Sequence, residues 1–339
     1  VAWTFAVAFV FAAALVLLFL KTDLLTALLA GLVAQTLFAV YPLLGAADSG
    51  LQLQGGLALA VLAVPLIASV RHLTSGKDLA YRYEDIPPHV RRIAERERQR
   101  VELETARRIQ SSILPDLPPR LAGVDIAHAY LPASEVGGDF YDVLALEDGR
   151  LAVAVGDVAG HGVSSGLIMS MAKSALAVQV TFDPEVSAVF NTLNRTVYQT
   201  ARKRLLATLC YALVDPRRLE MVYASAGHLH PYRISATGRV DSLESTAYPL
   251  GVRGELLVDP RTARLSPGDT LFLFSDGVVE ARREGSDDMF GFERLEESLA
   301  RHAGRGPEGL RDGVLADVAR FTANAPREDD QTILVLRLP

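Results

Sequence analysis

Four acidic motifs punctuate the C-terminal two thirds of the chain: GGDFYD at 137–142, GDVAGHG at 156–162, FSDG at 274–277 and REDDQT at 327–332. Each adjoins an apolar run of strand character, so each delivers a carboxylate at a strand end or a tight turn. Carboxylates repel one another and gather at one point only around a cation. All-oxygen ligands, with no Cys beside them and no His-rich spacing, favour a hard divalent ion such as Mg²⁺ or Mn²⁺ over zinc. The chemistry this implies is metal-dependent hydrolysis of a phosphate ester.

The elements that must position these motifs are legible as apolar runs of strand character. Strands are expected over 124–130, 140–146, 150–158, 205–215, 218–227, 269–277 and 331–339, bounded by Gly, Asp or Pro. EDGR (147–150) and DPRR (215–218) read as hairpin turns. Between strands, Leu167, Met171, Ala175 and Ile168, Ala172, Leu176 recur at helical spacing over 163–180, and further helices fit 185–201, 291–303 and 307–322. Hairpin-linked strands with interspersed helices predict an α+β domain over 116–339: two stacked antiparallel β-sheets flanked by helices.

Composition bounds the rest. Of the 339 residues half are hydrophobic, and the net charge of −6 comes with no basic face interleaved with aromatics, which argues against a nucleic-acid partner. Cys210, the single cysteine, lies in the apolar run LLATLCYALV and reads as a buried strand thiol, consistent with a reducing compartment. Residues 1–70 carry almost no charge. Spans 1–20, 24–44 and 51–70 each approach the ~20 residues that cross a bilayer, so about three transmembrane helices are expected. A cleaved signal peptide fits poorly, because the first run is long, lacks a basic flank and precedes further spans. The loop 45–56 has Asp48 and no Lys or Arg, whereas Arg71, His72, Lys77 and Arg82 follow the third span. That bias places the C-terminal part of a multi-pass membrane protein in the cytoplasm. A chain starting at Val1 reads as one with sequence missing upstream. Residues 71–115 form a juxtamembrane segment and connector. After Pro87-Pro88, 89–114 contains no Gly or Pro, and Arg98/Glu102 and Glu104/Arg108 fall at i,i+4. A stripe of Leu103, Ala106, Ile109/Gln110 and Ile113 is expected to pack on the next domain. Both a solvated linker helix and a short parallel coiled coil, hence a homodimer, fit this pattern.

In order along the chain, PASEVGGDFYDV, GDVAGHGVSSGLIMSM, YASAGHLHPY, YPLGV, LFLFSDGVVEA, MFGFERL and REDDQTILVL resemble the SpoIIE/RsbU-type serine/threonine phosphatases, the bacterial branch of the PPM metal-dependent phosphatases. ETARRIQSSILPDLPP resembles that family's entry helix, so the likeness covers about 102–338 and leaves the apolar segment outside it. The resemblance implies an αββα sandwich. It places the catalytic metal ligands on Asp139, Asp157, Asp276 and Asp329, with the Val158 carbonyl, and Asp157 as the bridging group. It implies two Mn²⁺ or Mg²⁺ ions ~4 Å apart that activate a shared water for in-line attack, with no covalent phospho-enzyme. It further implies a phosphoserine or phosphothreonine substrate on a STAS-domain anti-sigma-factor antagonist in a partner-switching pathway, with the connector as regulator.

Several residues have two readings. Asp142 is expected as a structural hydrogen-bond acceptor, and Asp330 competes with Asp329 for the ligand role. His161 offers a general acid or a turn-stabilising group; His228 either touches substrate or orders its loop. Gly137 and Gly138 are expected to admit a close backbone approach to the metals. Apart from Arg327 the four motifs hold no arginine, and Arg327 is expected in a surface ion pair. A silent partner-binding module and a ligand-sensing membrane receptor are the rival classes; the first would lack a metal aspartate, and none is missing.

Overall fold

A computed structural model describes residues 24–74, 88–160, 162–201, 205–283 and 285–339. The first expected span, residues 1–20, lies outside them, as do Lys77, Arg82 and His161. The chain divides into two compact units, 1–91 and 92–339.

The N-terminal unit contains a helical hairpin, α1 (Leu24–Leu44) and α2 (Ser49–Thr74). Asp48 caps α2 by accepting a bond from the Gly50 amide (2.7 Å), and the Gln52 amide donates to the Ala46 carbonyl (2.8 Å). These two polar contacts satisfy backbone groups that the chain reversal would otherwise orphan. The side chains of Phe38, Tyr41, Leu53, Val61 and Val64 are exposed. Among the described residues one helix, 163–182, is long and apolar enough to cross a membrane, and it is a core helix of the second unit.

The second unit is a four-layer sandwich. The connector helix α3 (Pro88–Ile113) leads towards it. Then come β1 (Arg120–Leu121), β2 (Val124–Leu131), β3 (Phe140–Ala145), β4 (Leu151–Val158), α4 (Val163–Phe182), α5 (Val186–Ala201), β5 (Ala207–Asp215) and β6 (Glu220–Ala226). After these follow β7 (Tyr232–Ile234), β8 (Val240–Ser242), β9 (Arg261–Arg264), β10 (Thr270–Phe274), the one-turn α6 (Asp276–Val279), α7 (Gly291–His302), α8 (Gly306–Phe321) and β11 (Gln331–Arg337). One sheet has the order β1-β2-β11-β10-β7-β8 and the other β3-β4-β5-β6-β9, with every pair antiparallel.

Alternation of side chains across each strand explains the layers. In β5, Cys210, Ala212 and Val214 face the other sheet, while Leu209, Tyr211 and Leu213 face α4 and α5. In β11, Leu334 and Leu336 join the inter-sheet core, while Ile333 and Val335 pack with α7 and α8. Both faces of the central strands are covered, which is why they read as unbroken apolar runs. Cys210 is buried, and that burial pushes its thiol up to about 12, leaving it inert at neutral pH. Strands β1, β7, β8 and β9 lack a sequence signal because they are two to four residues long, at or beside the sheet edges. FSDG does not extend β10: it turns into α6 at Asp276.

Candidate active site

The four acidic motifs meet at one end of the sandwich because antiparallel pairing puts their strand ends there. Asp139 immediately precedes β3, whose Phe140 pairs with Gly156, and Asp157 follows on β4. In the other sheet Phe274 of β10 pairs with Ile333 of β11, so the chain leaving β10 at Asp276 lies beside the chain entering β11 at Asp329. Each sheet therefore contributes two carboxylates.

Their proximity shows in their electrostatics. Burial, then the charges of Asp276 and Asp329, push the Asp157 carboxyl up to about 7. Burial and the neighbouring Asp329 carry Asp276 to about 6. Asp139, which is 1 % exposed, is raised well above the carboxylate range by burial and by Asp157. Like charges assembled at such a cost are a signature of a cation site. No trio of described His, Cys, Asp or Glu side chains closes to the tight grouping of a single-ion cage; the carboxylates stand within Coulombic reach of each other. The donor set, four carboxylates and a backbone carbonyl, fits Mg²⁺ or Mn²⁺.

The supporting residues decide which carboxylates face that space. Asp330 is buried, and its two oxygens accept from the amides of Ala133 and Gly138 (2.8 Å each), pinning the 133–138 loop. Asp329 is exposed and accepts from the Asp330 amide (2.8 Å). Asp330 is thus committed to structure, and Asp329 is the carboxylate turned outward. Asp139 accepts from the Thr332 hydroxyl (2.5 Å), which aims it from the adjoining sheet. A Cβ on Gly138 would lie 2.5 Å from the Val158 carbonyl and 2.6 Å from an Asp157 oxygen; one on Gly137 would lie 2.1 Å from an Asp330 oxygen. Gly138 is required by the close approach of Asp157 and the Val158 carbonyl, whereas Gly137 is required by the structural carboxylate of Asp330. The Tyr130 hydroxyl, buried beside Gly137, has no hydrogen-bond partner among the described residues.

His228 resolves to a positioning group. It is buried, and that burial pushes its imidazole down to about 4, so it is neutral. Nε2–H donates to the Phe274 carbonyl (3.1 Å), leaving Nδ1 to accept from the Thr208 hydroxyl (2.8 Å). Thr208 in turn accepts from the Asp157 amide (3.3 Å). The ring therefore ties the strand end carrying Asp157 to the one leading to Asp276. Asp142 points away from the site and forms a buried ion pair with Lys173 of α4, in line with the structural reading. Arg327 corrects an expectation: it makes no ion pair among the described residues, and Glu328 instead pairs with Arg282 (3.8 Å).

Two groups carry no sequence signal. Lys173 lies on an ordinary helix 31 residues from its partner. Gln110, read only as part of an apolar stripe, is 5 % exposed and clamps the Gly137 residue at both ends: its amide donates to the Gly137 carbonyl (2.6 Å) and its oxygen accepts the Gly137 N–H (3.0 Å). Ile109, the alternative in that stripe, is 58 % exposed.

Comparison with solved structures agrees with this architecture. The SiaA-PP2C domain of Pseudomonas aeruginosa superposes with a TM-score of 0.65 at 26 % identity, over 73 % of this chain and 99 % of that one. The RsbU and RsbW domains of a Mycobacterium tuberculosis protein give 0.56 at 31 % identity, over 63 % of this chain and 60 % of the other. Fold and carboxylate-lined end together define a PP2C-type, metal-dependent protein phosphatase. The family model for Stage II sporulation protein E (SpoIIE) matches residues 147–339, more than half of the sequence, and the chain belongs to that family. Among curated relatives, phosphoserine phosphatase RsbU of Bacillus subtilis is 29 % identical over 239 residues, 70 % of each chain. Phosphoserine phosphatase RsbP of the same organism is 28 % identical over 183 residues, 53 % of this chain and 45 % of its own length.

Proposed function

We propose that this chain is a membrane-anchored, cytoplasm-facing phosphatase that hydrolyses a phosphoserine or phosphothreonine on a STAS-type anti-sigma-factor antagonist. The observation that carries the catalytic part is the convergence of Asp139, Asp157, Asp276 and Asp329, up to 190 residues apart in sequence, at one end of two sheets. These four side chains and the Val158 carbonyl would hold two Mn²⁺ or Mg²⁺ ions. When bound, such ions lower the pKa of a coordinated water and neutralise phosphoryl charge. The protein's own part is positional. Thr332 orients Asp139, the Thr208–His228 link orients the Asp157 strand end, and Asp330 holds the loop that presents Gly138. Two phosphoserine phosphatases among the relatives support the substrate chemistry; the STAS-type partner rests on the sequence resemblance.

Membrane anchoring is supported by the hairpin α1–α2, whose large apolar side chains remain exposed on the protein itself and need an apolar surrounding. Regulation through the connector is supported by Gln110, which lets any shift of α3 act on the residue two before Asp139. Exposed Ile93, Val101 and Ile109 leave apolar surface on the connector for a second copy. The decisive experiment is phosphate release from phosphorylated STAS proteins, alongside p-nitrophenyl phosphate, by the full chain with and without Mn²⁺. Activity is expected only with metal and is lost in Asp157→Asn and Asp276→Asn. Turnover that survives excess chelator contradicts the mechanism; absence of the chain from the membrane fraction contradicts the anchoring.

A further inference from the structure

Tyr130 lies in β2 directly opposite Thr332 of β11. Side chains opposite one another in an antiparallel pair leave the sheet on the same face. From that face the Thr332 hydroxyl donates to Asp139 (2.5 Å), and the Tyr130 hydroxyl reaches Gly137, two residues earlier. A Cβ placed on Gly137 would lie 2.4 Å from the Tyr130 oxygen and 2.1 Å from Asp330 Oδ2. Hydroxyl and carboxylate are therefore neighbours, yet no hydrogen bond joins them and the hydroxyl has no other partner among the described residues. Burial, then the charges of Asp330 and Asp139, push the phenol far above its ordinary range, so it keeps its proton and needs an acceptor.

A buried hydroxyl without a partner is costly and uncommon in native proteins. Its surroundings narrow the choice of acceptor. The Gly137 carbonyl already accepts from Gln110 (2.6 Å), and Asp139 Oδ2 from Thr332. Arg107, whose charge also acts on Tyr130, carries donors only. Asp330 Oδ2 takes the Gly138 amide at 2.8 Å and the Asp139 amide only at 3.5 Å, which leaves room for a stronger donor.

We propose that Tyr130 is a positioning residue for the metal ligand Asp139: its hydroxyl donates to Asp330 when a divalent ion engages Asp139, and so locks the 137–139 segment in the metal-binding position. Without the ion, Asp139 and Asp157 repel each other, and that repulsion holds the segment short of the bond. Asp330 already grips the Ala133 and Gly138 amides, so a bond from Tyr130 ties the same loop to β2 as well. The inference rests on the metal-dependent phosphatase reading and adds a determinant of its metal affinity.

The test is Tyr130→Phe in the full chain, which keeps the ring and removes one oxygen. Calorimetric titration with Mn²⁺, in the absence of substrate, is expected to give a dissociation constant about tenfold above that of the wild type. In chelator the variant is expected to melt at or above the wild-type temperature, because the oxygen it lacks has no partner there. In an Asp330→Asn background the same change at Tyr130 is expected to alter the Mn²⁺ affinity less than about threefold, since the two residues act as one unit. Equal Mn²⁺ affinity in Tyr130→Phe and wild type overturns the proposal, as does a full tenfold loss in the Asp330→Asn background. A variant less stable than the wild type in chelator also overturns it, by assigning the hydroxyl a structural bond in the metal-free protein. A wild type that takes up no Mn²⁺ overturns the metal site itself, and the role of Tyr130 with it.

Discussion

Asp157→Asn is expected to abolish activity and, without metal, to stabilise the protein. Burial together with Asp276 and Asp329 lifts the Asp157 carboxyl from the ordinary carboxylate value to about 7. That rise corresponds to ~4 kcal/mol, which solvent access to a half-buried group reduces to about 2–4 kcal/mol. Because the folded pKa lies above the unfolded one, this group favours the folded state fully below pH ~4. That contribution is lost as pH rises through about 7, where the folded protein must hold an ionised carboxylate among others. Asparagine keeps the shape and removes the charge. In chelator at pH 8 the variant is expected to unfold about 5–15 °C above the wild type, with the difference vanishing near pH 4. Calorimetry of chelated full-length protein at the two pH values measures this directly. Saturating Mn²⁺ reverses the order, since the wild type alone gains the binding energy. The apparent Mn²⁺ affinity of the wild type falls about tenfold per pH unit below 7, and more steeply below 6 as Asp276 also protonates. A chelated variant less stable than the chelated wild type at pH 8 refutes the idea that these carboxylates repel one another in wait for a cation.

Two further outcomes follow from contacts with no sequence signature. Lys173→Met strands the buried Asp142 carboxylate and should cost about 3–5 kcal/mol in urea unfolding, most of it recovered by adding Asp142→Leu. Gln110→Ala removes both bonds to Gly137 and should raise the Mn²⁺ concentration for half-maximal p-nitrophenyl phosphate hydrolysis about tenfold, with only a modest loss of stability; an unchanged Mn²⁺ titration shows that α3 does not reach the site.

The legible parts of this protein are those in which chemistry and periodicity are local. Strands β2 to β6, β10 and β11 announce themselves because both faces are buried, and α4, α5, α7 and α8 because their apolar residues recur at helical spacing. The acidic motifs announce a cation site, since aspartates beside glycines at strand ends have few other uses. The sequence itself could not choose between Asp329 and Asp330, adjacent and chemically identical. That choice depends on the amides of Ala133 and Gly138, nearly 200 residues away, which occupy Asp330 and leave its neighbour turned outward. The same holds for Gln110 on Gly137, Lys173 on Asp142 and His228 between two strand ends. Local pattern determined which residues form strands and helices and which motifs carry charge. Tertiary packing alone decided which polar atoms are spent on structure, because hydrogen bonds between distant segments exist only once two sheets have closed over a common core.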